Sequence, residues 1–98
     1  MESVSVKVLN PFALKESLLV ALEVAWPDMD REAVSAVRSF LSQVPSSVRP
    51  AEMAVGQAER EGLLACSAYF QRSRTWHWMR EDLVQALYDL FVELKRKG

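Results

Sequence analysis

The 98-residue sequence has no excess of charge of either sign and contains only one cysteine. Its 12 basic and 13 acidic residues leave a net charge of −1. Because the whole chain has no basic field, we expect no membrane partner and no general attraction to nucleic acid. The lone cysteine, Cys66, cannot form a disulfide within the chain, which favours a reducing, cytoplasmic location.

Long apolar runs are also missing. No stretch reaches the length of a membrane span, and the N-terminal segment MESVSVKVLN lacks the apolar centre of a signal peptide. The residue order shows no internal repeat and no low-complexity tract. The apolar share of 50% and charged share of 26% are typical of a globular chain. We therefore predict a single domain over residues 1–98, with room for one core.

Residues suited to catalysis or metal binding are scarce. The chain has one cysteine and one histidine, Cys66 and His77, whereas a zinc site needs about four ligands of this kind. The three glycines form no phosphate-binding loop. A Cys–His nucleophile pair is the one enzymatic alternative, but a buried, inert thiol is the more common state of such a cysteine. We predict no catalytic residue, no metal and no cofactor.

The spacing of apolar residues predicts a mainly α-helical fold, similar to a small four-helix bundle. Val4, Val6 and Val8 alternate, so residues 1–10 are predicted to form a short β-strand or an extended arm. The remainder, residues 11–98, is assigned to helices and their connections. The predicted helices cover 11–26, 51–72 and 75–96, and a further helix begins after an N-cap at Asp28 or Asp30 and ends near Val44.

The third predicted helix carries small residues at every fourth position, namely Ala54, Ala58, Gly62 and Cys66. Such a ridge allows a neighbouring helix to approach closely. Alternatively, Gly62 ends the helix as a C-terminal cap. The sequence leaves both alternatives open.

The first predicted helix is apolar nearly all round, and even its narrow polar edge carries Phe12, Leu19 and Trp26. Either the other three helices enclose it, or a second chain covers it. The N-terminal strand poses the same question, because no other segment has a clear strand pattern. It either pairs with another copy, adds to a partner's sheet, or frays. We predict a homodimer with an interface at Val4, Val6, Val8, Phe12, Leu19 and Trp26.

The segment QRSRTWHWMR, residues 71–80, holds two tryptophans. In a helix that begins at residue 75, Trp76 joins the apolar stripe and is predicted to be core. Trp78 then projects from the opposite side. If the helix instead begins near Met79, Trp78 folds back onto Phe70.

An outward tryptophan is typical of a protein-binding hot spot. The sequence therefore predicts a non-enzymatic protein–protein interaction module, such as a regulator, inhibitor or adaptor. Its predicted partner-binding residues are Arg72, Arg74, His77, Trp78, Arg80, Tyr88 and Val92.

The alternative function is a nucleic-acid-binding dimer that uses the cluster at 72–80, namely Arg72, Arg74, Trp76, His77, Trp78 and Arg80. Arginines hold phosphates and aromatic rings stack on bases. Glu81 and Asp82 follow immediately, however, so the positive field is local.

Overall fold

The computed structural model describes residues 3–97, which form four α-helices and two β-strands. In chain order these are β1 (Ser3–Val8), α1 (Pro11–Ala25), α2 (Arg31–Gln43), β2 (Ala51–Gly56), α3 (Gln57–Ser73) and α4 (Glu81–Lys97). Two short 3-10 turns, Trp26–Asp28 and Thr75–Trp78, follow α1 and α3. The fold is mainly helical, as predicted, but a two-stranded antiparallel sheet accompanies the helices, so a plain four-helix bundle is not what forms.

The N-terminal strand pairs with β2, and Val6 lies opposite Met53 in this antiparallel pair. The prediction that this strand has no partner within the chain is therefore wrong. The prediction of helix from residue 51 onward is wrong for the same reason. Alanine and glutamate in Ala51–Gly56 favour helix locally, but pairing with β1 and burial of Met53 and Val55 override that preference. Residues 1 and 2 of the predicted arm lie outside the described range.

The core forms between the inner face of the sheet and the helices. Helix α1 lies at its centre and contacts α2, α3 and α4. Its broad buried face comprises Pro11, Ala13, Leu14, Ser17, Leu18, Ala21, Leu22 and Ala25. The chain therefore encloses most of α1 itself, which is the first of the two predicted alternatives. A stripe of Phe12, Leu19 and Trp26 stays about half exposed.

The element order shows an internal duplication, because strand, helix, 3-10 turn and helix occur twice. The expectation of no repeat is wrong. Trp26 and Trp76 each lie in one of the 3-10 turns, and the extended residues Met29 and Met79 donate their backbone N–H groups to those tryptophan carbonyls at 3.2 and 3.4 Å. The second member of each pair lies 50 positions after the first, as subtraction of the residue numbers shows.

The buried positions repeat in the same way. The buried residues of α2, together with Val44 just after it, each have a buried counterpart in α4 that lies 50 positions later. The pairs are Val37 and Leu87, Phe40 and Leu90, Leu41 and Phe91, and Val44 and Leu94. In α1 and α3 the shift is 49, with Leu14 matched to Leu63, Ser17 to Cys66 and Ala21 to Phe70. The side chains differ at most of these positions, which is why the residue order alone does not reveal the repeat.

The sheet obeys the same correspondence. Val6 lies opposite Met53, and the shift of 49 relates Val6 to Val55 and Met53 to Val4. Val4 and Val55 are also opposite each other, so the shift maps one strand pair onto the other. An approximate two-fold axis therefore passes through the Ser5–Ala54 pair. Across it, α2 packs on α3 and α4 packs on α1. Each half thus uses the other to bury its last helix.

Helix α2 approaches α3 closely at Gly62. Helix α3 continues through Gly62, so the alternative in which Gly62 ends the helix is wrong. A Cβ added at Gly62 would lie 2.8 Å from the backbone oxygen of Ala33, which shows that α2 approaches closely. Only Gly62 and Cys66 of the predicted ridge are buried, because Ala54 belongs to β2 and Ala58 is exposed.

Candidate protein-binding surface

The connection between α3 and α4 is set by its polar residues. The Ser73 hydroxyl donates to the Phe70 carbonyl at 2.6 Å and accepts the backbone N–H of Thr75 at 3.2 Å. Arg74 then adopts a left-handed backbone conformation with φ of 61°, which ends α3. Helix α4 begins only at Glu81. The predicted helix start at residue 75 is therefore wrong, and the 3-10 turn Thr75–Trp78 takes its place.

This turn determines where the two tryptophans lie. Trp76 is 39% exposed and stacks on His77 with 3.8 Å between ring centroids, so its prediction as a core residue is wrong. Trp78 is 89% exposed, so it projects outward and does not pack on Phe70. Trp76 lies beside Phe70 instead, in the wall of a groove.

The groove lies between the C-terminal part of α3 and the first half of α4 and has a volume of about 350 Å³. A second, adjoining hollow shares Trp76, Val84 and Tyr88 and extends towards Met79 and Glu81. Tyr88 is 63% exposed and lines both hollows. The groove is lined by Phe70, Gln71, Trp76, Val84, Leu87, Tyr88 and Phe91, so its walls are mostly aromatic and aliphatic.

Sequence reasoning missed most of these lining residues, because a continuous helix from residue 75 puts Val84 and Phe91 only at the margin of its apolar stripe. The signal that could have revealed them is the polar stretch SRT, residues 73–75, which breaks the apolar periodicity as loop residues do. Tyr88 was predicted as a binding residue and lines the groove. Val92 follows one turn later on α4, where it is half-exposed outside the groove lining.

The three predicted arginines have different surroundings. The guanidinium of Arg72 lies 5.1 Å from the ring centre of Tyr69. Arg80 donates two hydrogen bonds of 3.1 Å to the carboxylate of Asp82. That bond lowers the pKa of Asp82 and raises the pKa of Arg80. Within residues 3–97, neither Arg72 nor Arg74 forms an ion pair. The uncompensated positive charge therefore lies at the end of α3.

The predicted oligomer interface does not hold together as one surface. Val6 and Val8 are buried in the core of their own chain, so their place in an interface was predicted wrongly. Their side chains face inward because β1 pairs with β2 over the helices. Val4 is partly buried in the same row. The exposed stripe on α1 is the part that a second chain could still cover.

The candidate catalytic pair has little chemical capacity. Cys66 is fully buried, and burial raises the pKa of its thiol to about 12. His77 lies at the surface, stacked on Trp76. In the part of the chain that the structure covers, no three side chains of the His, Cys, Asp or Glu type are grouped as metal ligands. Nor does any helix within residues 3–97 have the length and apolarity to cross a membrane.

The internal repeat supplies a control for the aromatic surface. Positions 28, 38 and 42 of the first half correspond to positions 78, 88 and 92 of the second, and all six are exposed. The first half carries Asp28, Arg38 and Ser42, whereas the second carries Trp78, Tyr88 and Val92. Because the same turn and helix form with polar residues, folding does not require the apolar ones.

Comparison with known proteins gives no match to a family model, a curated protein or a solved structure.

Proposed function

We propose that this protein is a non-enzymatic binding module that receives apolar side chains of a partner protein in the groove between α3 and α4. One observation carries the proposal: exposed positions that are polar in the first half hold Trp78, Tyr88 and Val92 in the second. Tyr88 lines the groove, and Trp78 and Val92 lie outside its lining, so the binding surface includes more than the groove. Exposed aromatic residues that the fold does not need cost solubility and are typical of binding hot spots. A small regulator, inhibitor or adaptor subunit acts in this manner.

The surroundings of the groove define the partner's chemistry. Tyr88 and Trp76 offer rigid walls that a partner's apolar side chain would bury between them. Arg72 and Arg74 lie at the C-terminal end of α3, and neither has an acidic partner within residues 3–97. We therefore expect a partner segment that combines apolar anchors with acidic side chains next to them.

The experiment uses the two halves against each other. A photo-crosslinking amino acid is placed either at Trp78 or at Asp28, in the cells that make the protein, and crosslinked partners are identified by mass spectrometry. The proposal expects a partner that is captured from position 78 and not from position 28. Capture of the same proteins from both positions would indicate non-specific adhesion and would count against it.

The affinity of the captured partner is then measured with purified proteins by calorimetry. The variant Trp78→Asp/Tyr88→Arg/Val92→Ser copies the first half, and we expect at least tenfold weaker binding, because truncation of a central aromatic residue commonly costs about 2 kcal/mol or more. The matched control alters the α1 stripe by Phe12→Ser and Leu19→Ser and is expected to leave affinity unchanged. Equal loss in both variants would overturn the assignment to the groove.

Nucleic-acid binding remains the alternative hypothesis for the same residues. Arg72, Arg74 and Trp78 favour it, since two cations without acidic partners within residues 3–97 precede an exposed ring by six and four positions in the chain. The carboxylate of Asp82 compensates Arg80, which removes one of its three cations. Binding of single-stranded oligonucleotides that weakens steeply between low and moderate salt would support this hypothesis. Binding that is absent at low salt would exclude it.

A further inference from the structure

The two outer edges of the sheet differ in whether other residues cover them. The β1 edge is covered by α4. Lys97 of α4 donates from Nζ to the backbone oxygen of Ser5 at 2.6 Å. The Glu93 carboxylate lies against the backbone N–H of Lys7. Burial acts to raise the pKa of Glu93, but Lys97, Arg96 and the Lys7 N–H outweigh it, and the pKa is lowered. The last two turns of α4 therefore block this edge from strand pairing.

The β2 edge exposes the corresponding backbone groups. In an antiparallel pair, residues opposite each other direct their backbone groups either both towards the partner strand or both away from it. Ser5 points away from β2, so Ala54, its opposite residue, points away from β1. The N–H of Gly56 confirms this direction, because it donates outward to Glu59 at 3.1 Å. Glu52 has the same orientation as Ala54, two residues along the strand.

No other residue within 3–97 forms a hydrogen bond to the outward N–H and C=O groups of Glu52 and Ala54, and both residues are exposed. The reason lies in the lengths of the equivalent helices. Helix α4 has 17 residues, whereas α2 has 13 and ends at Gln43. Gln43 corresponds to Glu93 and is hydrogen-bonded to Glu59 at 3.1 Å, away from Glu52 and Ala54. Ser47 corresponds to Lys97 and lies beyond the end of α2.

We infer that the outer edge of β2 pairs with β2 of a second copy of this chain, antiparallel about a two-fold axis at Met53, to form a four-stranded sheet. In this register Glu52 lies opposite Ala54 of the second copy, and Ala54 lies opposite its Glu52. The two residue pairs exchange four hydrogen bonds, which use all the open N–H and C=O groups of both strands. No two glutamates are directly opposite, although Glu52 and its counterpart in the second copy are diagonal neighbours on the same face of the sheet.

The limits of the edge favour a second copy over a longer foreign strand. Beyond the two pairs, Pro50 would face Gly56 of the second copy. Proline has no N–H, and the Gly56 N–H is already donated to Glu59, so the ladder ends at the same place on both sides. A longer strand would find no further donor there. The net charge of −1 also leaves little repulsion between copies.

The test combines mass with amide exchange on the unaltered chain. Light scattering should show a mass that rises from 11.1 kDa towards twice that value with concentration. Over the same range, hydrogen exchange followed by NMR should show increasing protection of the Glu52 and Ala54 amides. The Lys7 amide on the covered edge should not change. A mass that stays monomeric throughout, with both amides exchanging freely, would overturn the inference.

Two variants at one position separate this edge from other surfaces. Ala54→Pro removes an outward donor that has no partner in the monomer, and we expect dimerisation to weaken by about tenfold or more, since two hydrogen bonds are lost per dimer. Ala54→Val keeps the donor and should dimerise as the parent does. A dimer formed through Phe12, Leu19 and Trp26 would leave the Glu52 and Ala54 amides unprotected, and that result would also overturn the inference. It is measured on the unaltered chain, so it does not depend on whether either variant folds.

Discussion

The two halves of this molecule have the same scaffold and different surfaces. Both run through strand, helix, 3-10 turn and helix, and both bury the same positions of their last helix. At three matched exposed positions, however, one half is polar and the other aromatic or aliphatic. The comparison separates residues that build the fold from residues that do not. The aromatic surface belongs to the second group, which is why we assign it to binding.

The comparison also leads us to expect that half of this chain is not a domain by itself. Helix α2 packs on α3 and α4 packs on α1, so the buried face of each last helix is completed by the other half. The sheet likewise takes one strand from each half. A chain of this length has room for one core, and here that core consists of two equivalent contributions.

The largest expected effect tests whether the halves are one cooperative unit. Phe40 and its counterpart Leu90 are both buried, and we expect Phe40→Ala to lower the free energy of unfolding by about 3–5 kcal/mol and Leu90→Ala by about 2–5 kcal/mol. Urea unfolding should show a single transition in both variants, because each cavity lies in the shared core. Val48→Ala, at an exposed site, is the control and should change stability little.

Fluorescence provides the contradicting outcome. Trp26 and Trp76 report on different halves. In variants that keep Trp26 alone or Trp76 alone, with Trp78 also replaced, the two unfolding midpoints should coincide. Separate midpoints would mean that the halves unfold independently and that the shared core is less important than the packing indicates.

A smaller effect tests the closest approach between the halves. Gly62→Ala should lower the free energy of unfolding by about 1–3 kcal/mol, because the new methyl group meets the Ala33 backbone, which cannot simply rotate away. The matched position in α1 is Ala13, where Ala13→Gly should cost about 1 kcal/mol through helix propensity. If Gly62→Ala instead stabilises the chain, as it would in an exposed helix, α2 does not lie as close to α3 as described.

Several elements could be predicted from the sequence because their signals are local. Helix α2 has a clean apolar face and lies within the predicted bounds, and the alternation of Val4, Val6 and Val8 marks β1 correctly. Exposure of Trp78 was one of two open alternatives, and the helical argument for it does not apply, because Trp78 lies in the 3-10 turn before α4. Helical periodicity and strand alternation need no knowledge of the rest of the chain.

The remaining features depend on distant parts of the chain. Ala51–Gly56 becomes a strand because β1 is there to pair with it, and its residue types alone favour helix. The duplication is visible in burial and turn geometry but not in residue identity, since Phe40 matches Leu90 and Ala21 matches Phe70. The groove depends on the 3-10 turn after Arg74, which sets the position of Trp76. The spacing of apolar residues in the sequence does not indicate this turn. Each of these features required the fold itself.

A modest effect tests the covered edge of the sheet. Glu93 has a lowered pKa in the folded chain, so its contribution to stability is present above its ordinary value of 4.5 and is lost as the pH falls through the folded value. We expect stability to decline on acidification partly for this reason. Glu93→Gln, which copies the residue type of Gln43, should reduce this pH dependence and speed exchange of the Lys7 amide. Identical acid profiles for both chains would show that Glu93 does not hold that edge.

The smallest effect on stability concerns the exposed residues Trp78, Tyr88 and Val92 of the second half, of which only Tyr88 lines the groove. Trp78, Tyr88 and Val92 are exposed, and their counterparts show that the scaffold accepts polar residues there. We therefore expect Trp78→Asp/Tyr88→Arg/Val92→Ser to change the free energy of unfolding by no more than about 0.5 kcal/mol per site, measured by urea unfolding. A loss of several kcal/mol would mean that these side chains support the fold after all. The inference from the first half to the second would then fail, and with it the reason for assigning the aromatic surface to a partner.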